Sequence, residues 1–188
     1  MKRLYACSSN RNKLAEFALA AGEGVEILPL PGIDQLAAPE ETGTTFEENA
    51  VLKAVYYSRF THEAVFADDS GLEVDALGAA PGVLSARFAG PHATQAENNS
   101  LLLQQLAHST QRAARFVTVL ALAQSGQLLR TGTGTVEGEI LHAPRGANGF
   151  GYDPLFFYPP LARSFAELAD MEKFAVSARG NALRALLR

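Results

Sequence analysis

Ala64-Val65-Phe66-Ala67-Asp68-Asp69-Ser70-Gly71-Leu72-Glu73-Val74-Asp75-Ala76-Leu77 sets an acidic pair directly against an apolar run. Ala64 to Ala67 reads as a buried strand that stops at Asp68 and Asp69. Gly71 lacks a Cβ and is expected to turn the chain. Leu72, Val74 and Ala76 alternate with Glu73 and Asp75, so a second strand is expected to leave that turn. Adjacent carboxylates repel, and burying either is unfavourable without a partner. A bound cation is the simplest partner. Mg²⁺ suits the place because it takes oxygen ligands, often one or two carboxylates plus substrate phosphate. The plainer alternative is a solvated Asp-Asp turn ahead of a glycine.

Outward from this stretch, the composition sets limits. Residues 1–188 fit one domain, or two lobes sharing a core. Hydrophobic residues make up 47% and charged residues 19%, too apolar a balance for disorder. A formal charge of −4 and a pI near 5.6 leave no basic excess for neutralising a nucleic-acid backbone. One small nucleotide needs only a local cluster of cations. Cys7 is the sole cysteine, which excludes an intrachain disulfide and fits a reducing compartment. No apolar run approaches a membrane span, and the segment before Cys7 is too short for a lipoprotein signal. The expectation is a soluble, cytoplasmic protein with neither membrane nor nucleic acid as partner. His62, His92, His108 and His142 are scattered, without zinc-ligand spacing.

Before the acidic pair, Leu4 to Cys7 reads as a strand, and Ser8-Ser9-Asn10-Arg11-Asn12-Lys13 follows. A helix then carries Leu14, Phe17, Ala18 and Ala21 on one face. Backbone N–H groups at its start attract anions, and Arg11 and Lys13 add positive charge. This is a phosphate-site layout; the alternative is an ordinary capped helix with two solvated cations. Gly22 to Pro39 is Gly/Pro-punctuated around a strand at Val25–Leu30. Thr44 with Glu47, and Thr45 with Glu48, have capping-box spacing, so a helix is expected from there to about Arg59. Asn49 and Lys53 share one of its faces and suit a phosphate or sugar, or form a surface pair. Glu40 and Glu41 lie just before it, within possible reach of a metal at Asp69.

Beyond Leu77, Gly78 to Gly90 reads as a loop crossing the site. Thr94 and Glu97 cap a helix that buries Leu101, Leu102 and Leu106. Arg115–Ala123 is a central strand turned by Ser125-Gly126, and Leu128–Thr131 and Thr133–Leu141 continue an antiparallel meander. In Gly146-Ala147-Asn148-Gly149-Phe150-Gly151-Tyr152-Asp153-Pro154, glycines flank Phe150 and bring backbone close to something. Phe150 and Tyr152 offer faces for stacking on a base, and Asp153 accepts from ring N–H groups. The alternative is a tight turn with core aromatics feeding a strand at Leu155–Tyr158. Ser164 with Glu167 caps a short helix through Leu168, Met171 and Phe174. Ser177 caps a last helix through Leu183, Leu186 and Leu187. Lys173 and Arg179 are the cations nearest that last loop.

Together these stretches resemble the inosine triphosphate pyrophosphatase family. The matching pieces are Ser8 to Lys13, Glu41 to Ala50, Ala67 to Leu72, Gly149 to Pro154, and Glu172-Lys173 with Ser177-Ala178-Arg179-Gly180. They occur in family order across nearly the whole chain. The resemblance implies an α/β fold with a long, twisted mixed β-sheet flanked by helices, in two lobes with the nucleotide cleft between them. It implies Mg²⁺-dependent hydrolysis of ITP, dITP and XTP to the monophosphate and pyrophosphate, clearing them from the nucleotide pool, by a homodimer. Carried over by position, Ser8, Ser9, Asn10, Arg11, Asn12 and Lys13 hold the triphosphate. Glu40 and Asp69 ligate Mg²⁺, Asp69 is also the general base, and Ser70 touches substrate. Phe150, Gly151, Tyr152 and Asp153 form the base pocket, closed by Lys173, Ala178 and Arg179. Two places depart from the family pattern. Ser177-Ala178-Arg179 stands where Ser-His-Arg is usual, so the histidine's hydrogen bond is absent. Ser8-Ser9 stands where Thr-Gly is common.

Release of pyrophosphate requires attack on the α-phosphorus. Water is the expected nucleophile, since no Ser-His or Cys-His constellation is visible. Lys13 and Lys53 add positive charge to the phosphates. Asp68 and Glu48 stand beside Asp69 as candidate bases. Two other readings remain open at this stage: a Maf-type pyrophosphatase of different base specificity, and a nucleotide-binding sensor without turnover.

Overall fold

The structure, a computed structural model, describes residues 2–21 and 24–188. Met1, and Gly22 at the head of the expected Gly/Pro-punctuated turn, lie outside the described residues. The strands are β1 (Lys2–Ala6), β2 (Val25–Pro29), β3 (Val65–Val74), β4 (Ala113–Gln124), β5 (Gln127–Ile140), β6 (Phe156–Tyr158) and β7 (Arg163–Ser164). The helices are α1 (Arg11–Ala20), α2 (Phe46–Tyr57), α3 (Gln95–Gln105), α4 (Asp170–Val176) and α5 (Ala178–Leu187). The strands form one sheet in the order β2-β1-β3-β4-β5-β6-β7. β1 runs parallel to β2 and β3, whereas β6 is antiparallel to β5 and β7. The fold is therefore α/β with a mixed sheet flanked by helices, as expected. Among the described residues no helix is long and apolar enough to cross a membrane.

The expected turn at Gly71 does not occur. β3 runs unbroken from Val65 to Val74, with both aspartates inside it. Successive side chains of a strand point to opposite faces, so Asp68 and Asp69 separate across the sheet instead of crowding each other. The acidic pair therefore has no need to end the strand. Likewise, the two strands expected at Leu128–Thr131 and Thr133–Leu141 are one, β5. Gly132 and Gly134 are not turn residues; they lie where α5 comes closest to the sheet. A Cβ on Gly132 would sit 2.7 Å from the backbone nitrogen of Leu186, and one on Gly134 would strike the Ala178 carbonyl. Ser125 and Gly126, at φ of 51° and 80°, supply the tight turn between β4 and β5.

By its contacts the chain forms two compact units, each assembled from separated segments. The first comprises Met1–Ser70, Thr118–Thr135 and Phe174–Arg188, and the second Gly71–Val117 and Val136–Lys173. In the first, Leu4, Ala6, Phe17, Phe66, Leu120, Leu183 and Leu186 make one core, and α1 packs on β2 and α5. Phe17 meets Phe66 edge-on at 5.0 Å. Ala18, expected on the buried face of α1, is exposed, and Glu16 is buried in its place because Arg179 answers its charge. In the second unit, Phe116, Phe156 and Phe165 form an aromatic core with ring separations of 4.5 to 5.9 Å. The Arg112 guanidinium donates to the carbonyls of Leu106, Ile140 and Leu141, tying α3 to the sheet. α3 carries the expected Thr94–Glu97 capping box and buries Leu102 and Leu106.

The Ser164–Glu167 capping box closes a single 3-10 turn, Phe165–Glu167, and α4 begins only at Asp170. Leu168 and Phe174 are buried as expected, but Met171 is 63% exposed because that delayed start rotates it outward.

The close approach at Gly132 yields a stability test. Gly132→Ala is expected to destabilise the protein by about 1–3 kcal/mol through overpacking. The reading is a lower urea midpoint at unchanged slope; a wild-type midpoint would show that α5 does not rest on this strand.

Candidate functional site

The alternation of β3 gives each aspartate its own cations. Asp68, 4% exposed, accepts from Lys13 Nζ at 2.8 Å and from Ser70 Oγ at 3.0 Å, with Arg179 Nη2 at 4.0 Å. Asp69, 8% exposed, accepts from Lys53 Nζ at 3.0 Å and Asn49 Nδ2 at 3.4 Å. Lys13 comes from α1 and Arg179 from α5, while Asn49 and Lys53 come from one face of α2.

This arrangement drives the two carboxyls apart in acidity. Burial alone would raise the Asp68 pKa, but the ammonium groups of Lys13 and Lys53 outweigh it and hold the carboxyl below its ordinary value. Burial raises Asp69 as well; Lys53 offsets only part of this, and Glu41 adds repulsion, so Asp69 stays above its ordinary value. The difference follows from sharing. Lys53 is hydrogen-bonded to Glu41 at 2.7 Å as well as to Asp69. Burial works to lower the Lys53 pKa, but Asp68, Asp69 and Glu41 together raise it.

Local sequence sets these positions. Asn10 caps α1, its side chain accepting from the N–H of Asn12 at 3.0 Å and of Lys13 at 3.3 Å. Ser8 Oγ accepts from the Asn10 N–H at 3.2 Å. The cap already occupies two of the amides expected to face an anion. Ser9, Arg11 and Asn12 are exposed, so this loop offers an anion mainly side chains and the Lys13 ammonium. Thr45 and Glu48 form the expected capping box of α2. Glu48 is committed to it, accepting from the Thr44 N–H at 2.7 Å and the Thr45 N–H at 3.1 Å. Those bonds, led by Thr44, hold its carboxyl below the ordinary value, which makes it a poor base. Asn49 is buried and accepts from the Gly43 N–H at 2.8 Å, fastening the preceding loop beside Asp69. Glu40 is exposed on that loop, whereas Glu41 is engaged by Lys53.

Ser70 is also committed. Its hydroxyl donates to Asp68 and accepts from Thr118 Oγ1 at 3.1 Å. Arg179 forms a buried pair with Glu16 and lies over the Phe17 ring, 5.7 Å from its centre. Burial pushes the Arg179 pKa down to about 10. Ala178 opens α5, buried, with its carbonyl against β5 at Gly134.

In the second unit the Phe150 loop is pinned from several sides. Asp153 is buried and accepts from Lys173 Nζ at 2.6 Å and the Phe150 N–H at 2.8 Å. Burial raises its pKa, and Lys173 and the amide offset that only in part. Lys173 Nζ lies 4.8 Å from the centre of the Phe150 ring, a cation–π contact. Tyr152 is 5% exposed, and its hydroxyl donates to the Ser85 carbonyl at 2.8 Å. It is a wedge beneath the loop, not the open stacking face expected from sequence. Phe150 is half-buried, the one ring of this loop that retains exposure. Gly78 to Gly90, read as a plain loop, contains a 3-10 segment, Gly82–Arg87, whose buried Ser85 receives the Leu72 N–H at 2.9 Å.

Sequence reasoning missed Glu16, Thr118, Ser85, Gln95 and Asn99. Glu16 lies three residues after Lys13 and Gln95 four before Asn99, spacings that mark shared helix faces but name no partner. For a metal, the chemistry of the donors is suitable. Asp69 and the carboxylates of the Glu40-Glu41 loop are oxygen-only, as Mg²⁺ requires, and Mg²⁺ completes its shell with water and phosphate. Among the described residues no group of three or more His, Cys, Asp or Glu is placed to hold a metal.

A sequence model of the Ham1 family matches residues 4–188. A dITP/XTP pyrophosphatase of Acidobacterium capsulatum is 50% identical over 194 residues, covering 98% of this chain and 96% of that protein. The solved Staphylococcus aureus Ham1 protein superposes with a TM-score of 0.87 at 38% identity, covering 98% of this chain and 96% of that one. A nucleoside-triphosphatase / dITP/XTP pyrophosphatase of Mycobacterium abscessus superposes with a TM-score of 0.77 at 44% identity, covering 98% of each chain.

The buried Asp153–Lys173 pair predicts a pH-dependent defect. Lys173→Met leaves a buried carboxylate without its cation and is expected to destabilise the protein by about 3–5 kcal/mol near neutral pH. Its folded-state pKa then rises further above the unfolded value. The folded state binds the proton more tightly, so stability falls as pH rises through that window and recovers on acidification. Denaturation midpoints across pH 4–8 read this, and Asp153→Asn in the same chain should restore much of the loss. A pH-independent defect would mean that the pair is not what fails.

Proposed function

The chain belongs to the Ham1 family, and from that membership we propose that it hydrolyses dITP, XTP and ITP to the nucleoside monophosphate and pyrophosphate. It is an enzyme, a nucleoside-triphosphate pyrophosphatase. The observation that carries the mechanism is the division of Asp68 and Asp69 between two sets of cations on opposite faces of β3. The activity removes non-canonical purine triphosphates from the cytoplasmic nucleotide pool, and a homodimer is the proposed assembly.

Each residue has a distinct part. Lys13 and the exposed side chains of Ser9, Arg11 and Asn12 receive the triphosphate, with Ser8 and Asn10 shaping the loop. Asp68 stays charged and holds Lys13 in place. Lys53 brings positive charge to the reacting phosphate and restrains Asp69. Asp69 orients the attacking water and takes its proton as that water adds to the α-phosphorus. Asp68 is held acidic by Lys13 with Arg179 close by, and Glu48 is spent on its cap, which leaves Asp69, whose Lys53 is shared with Glu41, as the base. The leaving group is pyrophosphate. Ser70 holds Asp68 and contacts substrate beside it. Phe150 and Gly151, backed by Tyr152, Asp153 and Lys173, receive the base, and Arg179 with Ala178 lies at the start of α5 on the Asp68 side. Asp69 and the exposed Glu40 would hold Mg²⁺. When bound, the ion supplies charge neutralisation at the phosphates. A pocket matched to a 6-keto group and N1–H leaves those partners unpaired against a 6-amino base, which gives the discrimination.

The test is pyrophosphate release from dITP, XTP, ITP, dATP and dGTP, with Mg²⁺ and with chelator. Turnover is expected for the first three, far above dATP, lost with chelator and restored by Mg²⁺. Equal turnover of all five would remove base selection from the reading, and binding without turnover would make the protein a sensor. Asp69→Asn is expected to lower kcat by on the order of 10²–10⁴-fold while KM changes little. Near-normal kcat in that variant would sink the general-base assignment.

A further inference from the structure

Three successive peptide groups of the Phe150 loop are each tied down by one side chain. The Phe150 N–H donates to Asp153 Oδ2 at 2.8 Å. The Gly151 N–H donates to Gln95 Oε1 at 2.8 Å, and the Gly151 carbonyl accepts from Asn99 Nδ2 at 3.0 Å. Gln95 and Asn99 stand one turn apart on α3 and reach out as a pair. Gly151 itself sits at φ +64°, a conformation that leaves its two peptide groups free to face the same helix.

The chemistry at Asn99 indicates what the pair is for. Asn99 Oδ1 is buried with no hydrogen-bond partner among the described residues. A buried acceptor left unmet is unfavourable, and a leucine of similar size would avoid it. The amide is therefore useful here through its N–H, which holds Gly151. Gln95 is exposed at the first turn of α3, so its bond to Gly151 adds nothing to core packing. Both residues act on the two peptide groups that follow the Phe150 Cα, and Phe150 is the half-buried ring of the loop.

We propose that Gln95 and Asn99 are positioning residues for base selection: together they clamp Gly151 and so fix the plane and place of the Phe150 ring against the purine. The inference rests on the reading of this loop as the base site. The clamp acts on binding and discrimination, not on the water, the phosphates or the proton.

The experiment compares kcat and KM for dITP and dATP in the wild type, Gln95→Leu, Gln95→Glu and Asn99→Leu. Gln95→Leu and Asn99→Leu are each expected to raise KM for dITP roughly two- to tenfold, the loss of one hydrogen bond, with kcat changed less. The preference for dITP over dATP should fall in both. Gln95→Glu keeps an acceptor for the Gly151 N–H and should keep the wild-type KM. Exchange of the Gly151 amide hydrogen should quicken in Gln95→Leu and not in Gln95→Glu. Should Asn99→Leu fail to fold, the Gln95 pair at an exposed position still decides the matter. Unchanged KM and preference in Gln95→Leu would overturn the clamp, as would an equal fall of kcat on both substrates with KM unmoved. A wild type that turns over neither substrate would instead overturn the base-site reading beneath it.

Discussion

Two carboxylates on consecutive residues of a buried strand stay charged only if cations reach them from elsewhere in the chain. Here the strand itself makes that possible. Because side chains alternate across a sheet, Asp68 faces α1 and α5 and Asp69 faces α2, so no cation has to serve both by direct contact. The helices on the two faces are placed accordingly. Lys13 stands in the first turn of α1, beside its cap, and Lys53 lies two turns into α2 on the face it shares with Asn49.

From that constraint the rest of the first unit follows. Asn49 must be buried to reach Asp69, and a buried amide needs more than one partner, so it also closes on Gly43. That closeness leaves no room for a Cβ at Gly43, where it would lie 2.6 Å from Asn49 Oδ1. Arg179 reaches Asp68 only because Gly132 and Gly134 let α5 settle against β5, and its remaining charge is met by Glu16. A buried guanidinium between two carboxylates is stable only as such a set, since removing one member strands the others.

The second unit solves a different problem. The Phe150 ring is held in place while only half-buried. Its backbone is fastened on several sides: glycines at 149 and 151 permit the bends, and Asp153, Gln95 and Asn99 take the peptide groups that the bends expose. Tyr152 and the Asp153–Lys173 pair fill the space beneath.

Local chemistry was legible in the sequence alone. The capping boxes at Thr45 and Thr94, the cap at Ser177, the shared face of Asn49 and Lys53, and the Ser125-Gly126 turn all depend on neighbours within a few residues, and all stand where the spacing put them. The motifs also carried the family. What the sequence misplaced were features whose cause lies far along the chain. Gly71 reads as a turn and is a strand residue, Gly132 reads as a break and is a seat for α5, and Tyr152 reads as a platform and is a wedge against Ser85. Glu16 finds Arg179 across 163 residues, and Gly151 finds Gln95 across 56. A glycine permits a turn, a close approach or an extended strand equally well, and a buried polar group names no partner. Only the packing of distant segments chooses among these, because that packing alone sets which surfaces lose water and which charges must then be answered.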